Sequence, residues 1–153
     1  MCAAPTEEPP LALLIARGVS RALAQRGVAT LAEVALANGR RADLLGLGRG
    51  GELVIVEIKS SVQDFRSDGK WREYREFCDR FYFAVPERFP RGLIPEDCGL
   101  IVADGFGAAI LREAPHAPLA AQRRKAMTLR FAILGSERLR RLLDPDAAAA
   151  EPL

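Results

Sequence analysis

The stretch RRADLLGLGRGGELVIVEIKSS, residues 40–61, decides the fold that this sequence predicts. It consists of two apolar runs separated by a glycine-rich turn at 48–51, and the second run is strongly β-forming. Asp43 lies in the first run, and Glu57 and Lys59 lie near the end of the second. These charges need an explanation, because burying an unpaired charge in a sheet is costly.

Strand geometry predicts where these three charges point. Side chains two residues apart lie on the same face of a strand, so Glu57 and Lys59 should project together, on the opposite side from Val54, Val56 and Ile58. A hairpin through the glycine turn would place Asp43 beside Glu57. The sequence therefore predicts two carboxylates and an amine on one face of a sheet.

Six β-forming runs predict the strands of this sheet. They lie at residues 28–36, 41–47, 52–59, 80–85, 99–103 and 108–112. Asn38-Gly39 is a strong signal for a hairpin turn between the first two. A helix between the third and fourth strands would be a crossover, so those two strands should be parallel, with a right-handed connection.

Two helices are predicted before the fourth strand. Helical spacing of apolar residues indicates the first over residues 7–26, with Thr6 as its capping residue. A loop and then a second helix should fill 60–79, with Ser67 or Asp68 as the cap. With a third helix near the end of the chain, the order is α-β-β-β-α-β-β-β-α, an α/β fold with a mixed central sheet flanked by helices.

The composition is that of one globular domain. The 153 residues are 49% hydrophobic and 27% charged, which is enough apolar material for a single core. We expect one domain over 1–143 and a disordered tail over 144–153. Three cysteines without close spacing argue against disulfides and zinc, and no apolar run reaches membrane-spanning length, so we expect a cytosolic protein.

Charge is distributed unevenly along the chain. The net charge of +2 does not by itself indicate a nucleic-acid-binding protein, but Arg112 to Arg141 contains eight basic residues and two acidic ones. A local basic face is typical of an anionic partner, and a solvated helix face is the alternative. This segment overlaps the final predicted helix, 119–143, which we expect to be interrupted near Gly135-Ser136.

Asp43 and Glu57 form a candidate metal site. Mg²⁺ (or Mn²⁺) prefers oxygen ligands and commonly takes one or two carboxylates with water and substrate phosphate. The Ile58 carbonyl would add a further oxygen, and Glu33 on the preceding strand would add a third carboxylate. Lys59 would orient an attacking water or stabilise charge on a phosphate. The alternative is a solvated surface pair, since Glu-x-Lys is a common triplet.

The acid on the second strand and Glu57-Ile58-Lys59 on the third resemble the motif of the PD-(D/E)xK nuclease superfamily. Ala42 stands where the superfamily's name has proline, a position that varies among its members. The resemblance implies a restriction-endonuclease-like αβββαβ core with an added β-hairpin and C-terminal helix. It also implies that Asp43, Glu57 and Ile58 bind Mg²⁺ or Mn²⁺, with Lys59 and Glu33 assisting catalysis.

Four longer segments resemble the MmcB family of bacterial DNA repair proteins, a small branch of that superfamily. They are GRRADLLGL (39–47), VEIKSSVQDFRSDGKW (56–71), CDRFYFAVP (78–86) and GLIVADGFGAAILR (99–112). The resemblance covers most of the chain and implies a role in the response to DNA damage, in the bacterial cytosol and at the nucleoid. DNA, other repair proteins and a second copy of the chain are the expected partners, and a membrane is not.

Five residues near the motif are candidate contacts to the DNA backbone, because phosphate contacts dominate affinity and position the protein. They are Arg41, Ser60, Ser61, Arg66 and Lys70. Each has an alternative: Arg41 could pair with an acid, the serines could cap the next helix, and the other two could join a network of surface ion pairs.

Three further side chains have a structural and a functional interpretation. Trp71 and Tyr74 could stack on unpaired bases, but packing on the sheet is the better explanation. His116, which is the only histidine, is expected to be an exposed loop residue.

Three functions are compatible with these features. The first is a metal-dependent endonuclease that hydrolyses DNA phosphodiesters in repair. The second is a DNA-binding or adaptor protein that keeps the fold without cleaving DNA. The third is an α/β domain with no DNA affinity. Metal-dependent cleavage distinguishes the first, and salt-dependent DNA binding separates the second from the third.

Overall fold

The structure, a computed structural model, describes residues 7–146. Six strands form one sheet in sequence order: β1 (Val28–Ala35), β2 (Arg41–Gly48), β3 (Leu53–Ile58), β4 (Arg80–Val85), β5 (Gly99–Ala103) and β6 (Ala108–Arg112). β3 is parallel to β4 and β4 is parallel to β5, and the other neighbouring pairs are antiparallel. The predicted mixed α/β fold and the parallel pairing of the third and fourth strands are therefore confirmed.

Helices cover both faces of this sheet. They are α1 (Leu11–Gln25), α2 (Val62–Ser67) and α3 (Ala121–Leu143), with 3-10 helices at Trp71–Phe77 and Arg91–Leu93. Ile15, Val19 and Leu23 of α1 are buried on one face. The first 3-10 helix and Met127 of α3 pack on the other. No helix in the described part of the chain is long and apolar enough to cross a membrane.

The first helix begins later than predicted. The prediction was residues 7–26, but α1 starts at Leu11, with Pro10 as its N-cap and no side-chain cap. Pro9 and Pro10 explain the difference, because a residue that precedes proline is disfavoured in the helical conformation. The predicted cap, Thr6, lies outside the described residues.

The loop and helix predicted within 60–79 differ from the structure in two ways: the loop contains the short helix α2, and the helix after it is the 3-10 helix Trp71–Phe77. α2 ends at Ser67, and Asp68 follows it in an extended conformation, so neither residue caps the start of a helix. The Asp68 carboxylate accepts hydrogen bonds from Lys59 Nζ (2.8 Å) and from the backbone N–H of Lys70 (3.1 Å). Such side-chain bonds compete with helix formation, so the segment breaks at this residue.

The predicted interruption of the final helix is also wrong. α3 continues through Gly135-Ser136, since one glycine in a helix costs only about 1 kcal/mol relative to alanine. Gly135 lies close to β1: a Cβ there would be 3.7 Å from Leu31. Of the predicted disordered tail 144–153, residues 147–153 lie outside the described part of the chain.

Arginines of α3 cover the edge of the sheet at β1. Arg130 donates to the carbonyl of Ala35, and Arg138 donates to the carbonyls of Ala32 and Glu33. β1 is the first strand in the sheet order and so has a neighbouring strand on one side only. These three carbonyls therefore find donors in the helix rather than in another strand.

Asp79 joins β3, the segment before α3, and α3 itself. It is 1% exposed, and its carboxylate accepts hydrogen bonds from the N–H groups of Leu53 and Leu119 and from the Arg124 guanidinium. Burial alone would raise the pKa of Asp79, but these hydrogen bonds, with Arg124 first, lower it to about 2. Arg124 also donates to the carbonyl of Gly51.

Replacing Gly99 should destabilise the centre of the sheet. Gly99 pairs with Tyr82, and a Cβ at Gly99 would lie 2.2 Å from that ring. We expect Gly99→Ala to lower the free energy of unfolding by about 1–3 kcal/mol, the usual cost of overpacking, in urea titrations. Gly107→Ala is the control, because a Cβ there has no neighbour within 4 Å. Equal stabilities of the two variants would contradict this prediction.

Candidate functional site

β2 and β3 separate where the sequence predicts the site. Their ladder ends at Leu44 and Val56, and beyond it two carboxylates replace the backbone pairs. Glu57 Oε1 accepts a hydrogen bond from the N–H of Asp43 (3.0 Å), and Asp43 Oδ2 accepts one from the N–H of Ile58 (2.8 Å). Each acid is held by the backbone of the other strand, so the structure brings the two predicted carboxylates together.

Further oxygens at this point are available for a ligand. Oδ1 of Asp43 and Oε2 of Glu57 accept no hydrogen bond from the residues that the structure describes. The N–H and C=O of one residue point to the same side of a strand. The Ile58 carbonyl is therefore directed to the Asp43 side, as its N–H is, and Ile58 lines the same cleft.

Burial is the main influence on the charge of the pair, and repulsion from Asp43 adds to it at Glu57. Burial raises the pKa of Asp43. Burial, followed by repulsion from the neighbouring Asp43, raises the pKa of Glu57. Lys59 favours the ionised form of both acids but does not offset these effects. A positive charge between the two carboxylates would reverse the shift, since opposite charges stabilise the ionised form.

The donor set fits a cation that is completed by water and substrate. Within residues 7–146, no three or more His, Cys, Asp or Glu side chains are grouped to hold a metal ion. Mg²⁺ is usually bound through one or two carboxylates while keeping waters and taking phosphate oxygens. Asp43, Glu57 and the Ile58 carbonyl supply a set of that size.

The amine of Lys59 is held beside the carboxylates. Lys59 is 6% exposed, and its Nζ lies 2.8 Å from Oδ2 of Asp68, whose side chain is 23% exposed. Burial alone would raise the pKa of Asp68, but the hydrogen bonds from Lys59 and from the Lys70 N–H lower it. The sequence predicted Asp68 as a helix cap and not as the partner of Lys59. No spacing signal marks this pair, because its partners meet across the loop that carries α2.

A cleft of about 670 Å³ contains these residues, and we call it the site cleft. Its apolar wall is the start of α1, with Pro10, Ala12, Leu13 and Ala16. Its polar lining includes Glu33, Arg41, Asp43, Glu57, Lys59, Asp64 and Asp68. Five carboxylates therefore face two basic side chains, so the cleft repels a phosphate unless a cation is bound.

Glu33 reaches the site cleft as the partner of Arg41. Glu33 has a positive φ of 50°, and its Oε1 lies 3.7 Å from an Arg41 nitrogen, with both side chains about two-thirds exposed. Arg41 is thus paired with an acid, which was the alternative to a phosphate contact. The roles predicted for Glu33 in catalysis and for Arg41 in DNA binding stay predictions.

The predicted phosphate contacts that follow the motif lie on or around α2. Ser61 caps that helix, because its Oγ accepts a hydrogen bond from the N–H of Asp64 (3.1 Å). The N–H of Ser60 donates to the Asp64 carboxylate (3.2 Å). Arg66 and Lys70 are exposed, and neither forms an ion pair within residues 7–146. DNA contact by these residues stays a prediction.

The aromatic residues near the site are part of the core. Trp71 is 4% exposed and stacks on Phe81 with ring centroids 5.7 Å apart, which confirms the packing interpretation. Tyr74 is also buried, and its hydroxyl donates to the Arg41 carbonyl (3.1 Å), so it helps to position β2. His116 is exposed in a loop, as predicted.

The fold and the site together define an α/β domain with two carboxylates and a lysine where its third strand ends. A family model described as DNA repair protein MmcB-like matches residues 3–146 of the chain. The protein therefore belongs to the MmcB-like family of DNA repair proteins, as the four sequence segments predicted.

A solved structure of similar length supports the fold. The SPO1766 protein of unknown function from Silicibacter pomeroyi is 40% identical in sequence, with a TM-score of 0.91. The match covers 95% of this chain and 99% of that one. No curated protein sequence matches the chain.

Proposed function

We propose that this protein is a Mg²⁺- or Mn²⁺-dependent endonuclease that hydrolyses DNA phosphodiesters in repair, within the PD-(D/E)xK superfamily. The observation that carries the proposal is the reciprocal bonding of Asp43 and Glu57 to the backbone of each other's strand, with Lys59 beside them. Membership of a DNA repair family makes DNA the substrate to test first.

Each residue of the site has a chemical task in this proposal. Asp43, Glu57 and the Ile58 carbonyl hold the cation. When bound, a cation of this kind polarises the phosphodiester and lowers the pKa of a bound water. Lys59 orients the attacking water or stabilises the charge that develops on the phosphate. Asp68 positions the Lys59 amine. The water oxygen bonds to phosphorus and releases a proton, and the leaving sugar oxygen takes one up.

DNA binding would use charges outside the site cleft as well. Arg66 and Lys70 are exposed on the α2 side, and we assign them to phosphate contacts. Arg41 would turn from Glu33 to a phosphate. The hydroxyls of Ser60 and Ser61, which follow Lys59 in the chain, would add further phosphate contacts. A second copy of the chain and other repair proteins are further proposed partners.

A DNA-binding or adaptor protein without cleavage is the second candidate. The observation that favours it is the exposure of Arg66 and Lys70, because their charges do not depend on a bound cation. This candidate predicts DNA affinity that survives chelation and falls steeply with salt, and no turnover of any DNA.

Metal titration of the purified protein tests the proposal. We expect Mg²⁺ and Mn²⁺ to support cleavage of labelled DNA, a chelator to abolish it, and each ion to raise the melting temperature, because a ligand that binds only the folded state stabilises it. Asp43→Asn should lose both effects. Asp104→Asn is the control, since Asp104 is an exposed hairpin acid outside the site cleft. Metal-dependent cleavage that persists in Asp43→Asn would refute the assignment.

A further inference from the structure

We infer that the site cleft accepts single-stranded DNA, or a strand unpaired at a flap or frayed end, in preference to continuous duplex. This substrate class rests on the proposed nuclease function.

The groups assigned to the reaction lie at the bottom of the site cleft. Glu57 is 4% exposed and Lys59 is 6% exposed, and Asp43 is partly buried beside them. A scissile phosphate must therefore enter the site cleft to reach them. A phosphate that only touches the rim would not contact the amine or the carboxylates.

The size of the site cleft suits one nucleotide. Its volume of about 670 Å³ falls in the range of roughly 300–1,000 Å³ that encloses a single small ligand. In a duplex, base pairing and stacking hold each phosphate on the outside of a regular helix. A single strand has no such restraint and can turn one phosphate inward together with its sugar and base.

The α1 wall is apolar, which suits contact with an unpaired base. Pro10, Ala12, Leu13 and Ala16 line it, and Leu13 is 46% exposed. Duplex backbone is contacted by basic and polar groups, which this wall lacks. An unpaired base exposes a flat apolar face, which can be buried against such a wall.

The charge of the site cleft favours contact with one phosphate rather than with a longer stretch of DNA backbone. Proteins that follow a DNA backbone do so with a basic groove. Here five carboxylates face two basic side chains, so the site cleft offers one cation-dependent phosphate position. Neighbouring phosphates must stay outside, where Arg66 and Lys70 are exposed.

Cleavage of matched substrates tests the inference. One labelled strand is presented alone, as a flap, and within a blunt duplex, with Mn²⁺, to the wild type, Leu13→Ser and Leu111→Ser. Leu13 and Leu111 are both 46% exposed, but Leu111 lies on β6, outside the site cleft, which makes it the matched control. Melting temperatures establish that each variant is folded.

We expect the single strand and the flap to be cut at least about tenfold faster than the duplex, with cuts in the unpaired segment. Leu13→Ser should lower kcat/KM on unpaired DNA by about tenfold, in the range expected for losing an apolar contact, whereas Leu111→Ser should not. Equal rates on duplex and single strand, or equal effects of the two substitutions, would overturn the inference while leaving the nuclease proposal standing. If no DNA substrate is cut, or if the cutting persists in Lys59→Ala, the nuclease proposal itself is overturned.

Discussion

Lys59→Ala should abolish metal-dependent DNA cleavage and leave the fold intact. Removing a single group that stabilises developing charge in a water-poor site typically lowers kcat by about 10²–10³. Lys59 is 6% exposed and lies beside both carboxylates, so water cannot easily replace its amine. We therefore expect a loss at the upper end of that range or beyond it.

The fold should tolerate this substitution because few contacts depend on the amine. Its hydrogen-bond partner, Asp68, has a side chain that is 23% exposed and can be solvated when the amine is removed. The Lys59 backbone N–H still donates to the carbonyl of Ala84, so the pairing of β3 with β4 is preserved. The melting temperature should change little.

Single-turnover cleavage with DNA binding measured in parallel separates chemistry from affinity. Lys70→Ala is the control, because Lys70 is an exposed lysine close in sequence that is assigned to phosphate contact. It should weaken binding and its salt dependence without lowering the rate at saturation. A Lys59→Ala rate within a few-fold of the wild type would exclude the lysine from the chemical step.

Asp79→Ala should cause the largest loss of stability. The substitution removes the common acceptor of the Leu53 and Leu119 N–H groups and of the Arg124 guanidinium. The Arg124 side chain is 32% exposed and can be solvated, but the two backbone N–H groups lose a buried acceptor, which typically costs about 1–3 kcal/mol for each group. Urea titration should show the combined loss of the two groups. Asp97→Ala is the control, since the Asp97 side chain is 59% exposed in its pair with Arg75 and should cost under about 1 kcal/mol.

The stability of the wild type should also depend on pH through Asp79. Its pKa is about 2 in the folded protein against an ordinary value of 3.8, so its contribution is complete above about pH 4 and is lost as the pH falls toward 2. The shift corresponds to about 2 kcal/mol. Asp79→Ala should lack this component in urea titrations across that range. A variant as stable as Asp97→Ala, with an unchanged pH profile, would contradict the role assigned to Asp79.

The strands and the carboxylate pair could be predicted because their signals are local. The β-forming run at 53–58 and the glycine turn before it predict a hairpin, and the hairpin places Asp43 opposite Glu57. The structure adds that the two acids replace the backbone ladder at this point. Strand periodicity indicates which residues share a face of the sheet but not where a ladder ends.

The contacts of Asp68 and Asp79 could not be predicted because they join segments that are distant in sequence. Lys59 reaches Asp68 across α2, and Arg124 reaches Asp79 from 45 residues away. Neither spacing corresponds to a helix or strand period. The same Asp68 contacts separate α2 from the 3-10 helix that follows it, so Asp68 does not cap a helix as predicted.

The arginines that cover β1 also bear on how this strand avoids edge-to-edge pairing with other chains. An open strand edge is a template for pairing with other chains, and such pairing leads to aggregates. Arg130 and Arg138 of α3 occupy carbonyls on that edge, and they do so with charged groups that repel a second copy of the same helix. We therefore expect a fragment of this protein to resist aggregation only if it extends through α3, even though no residue of α3 lines the site cleft.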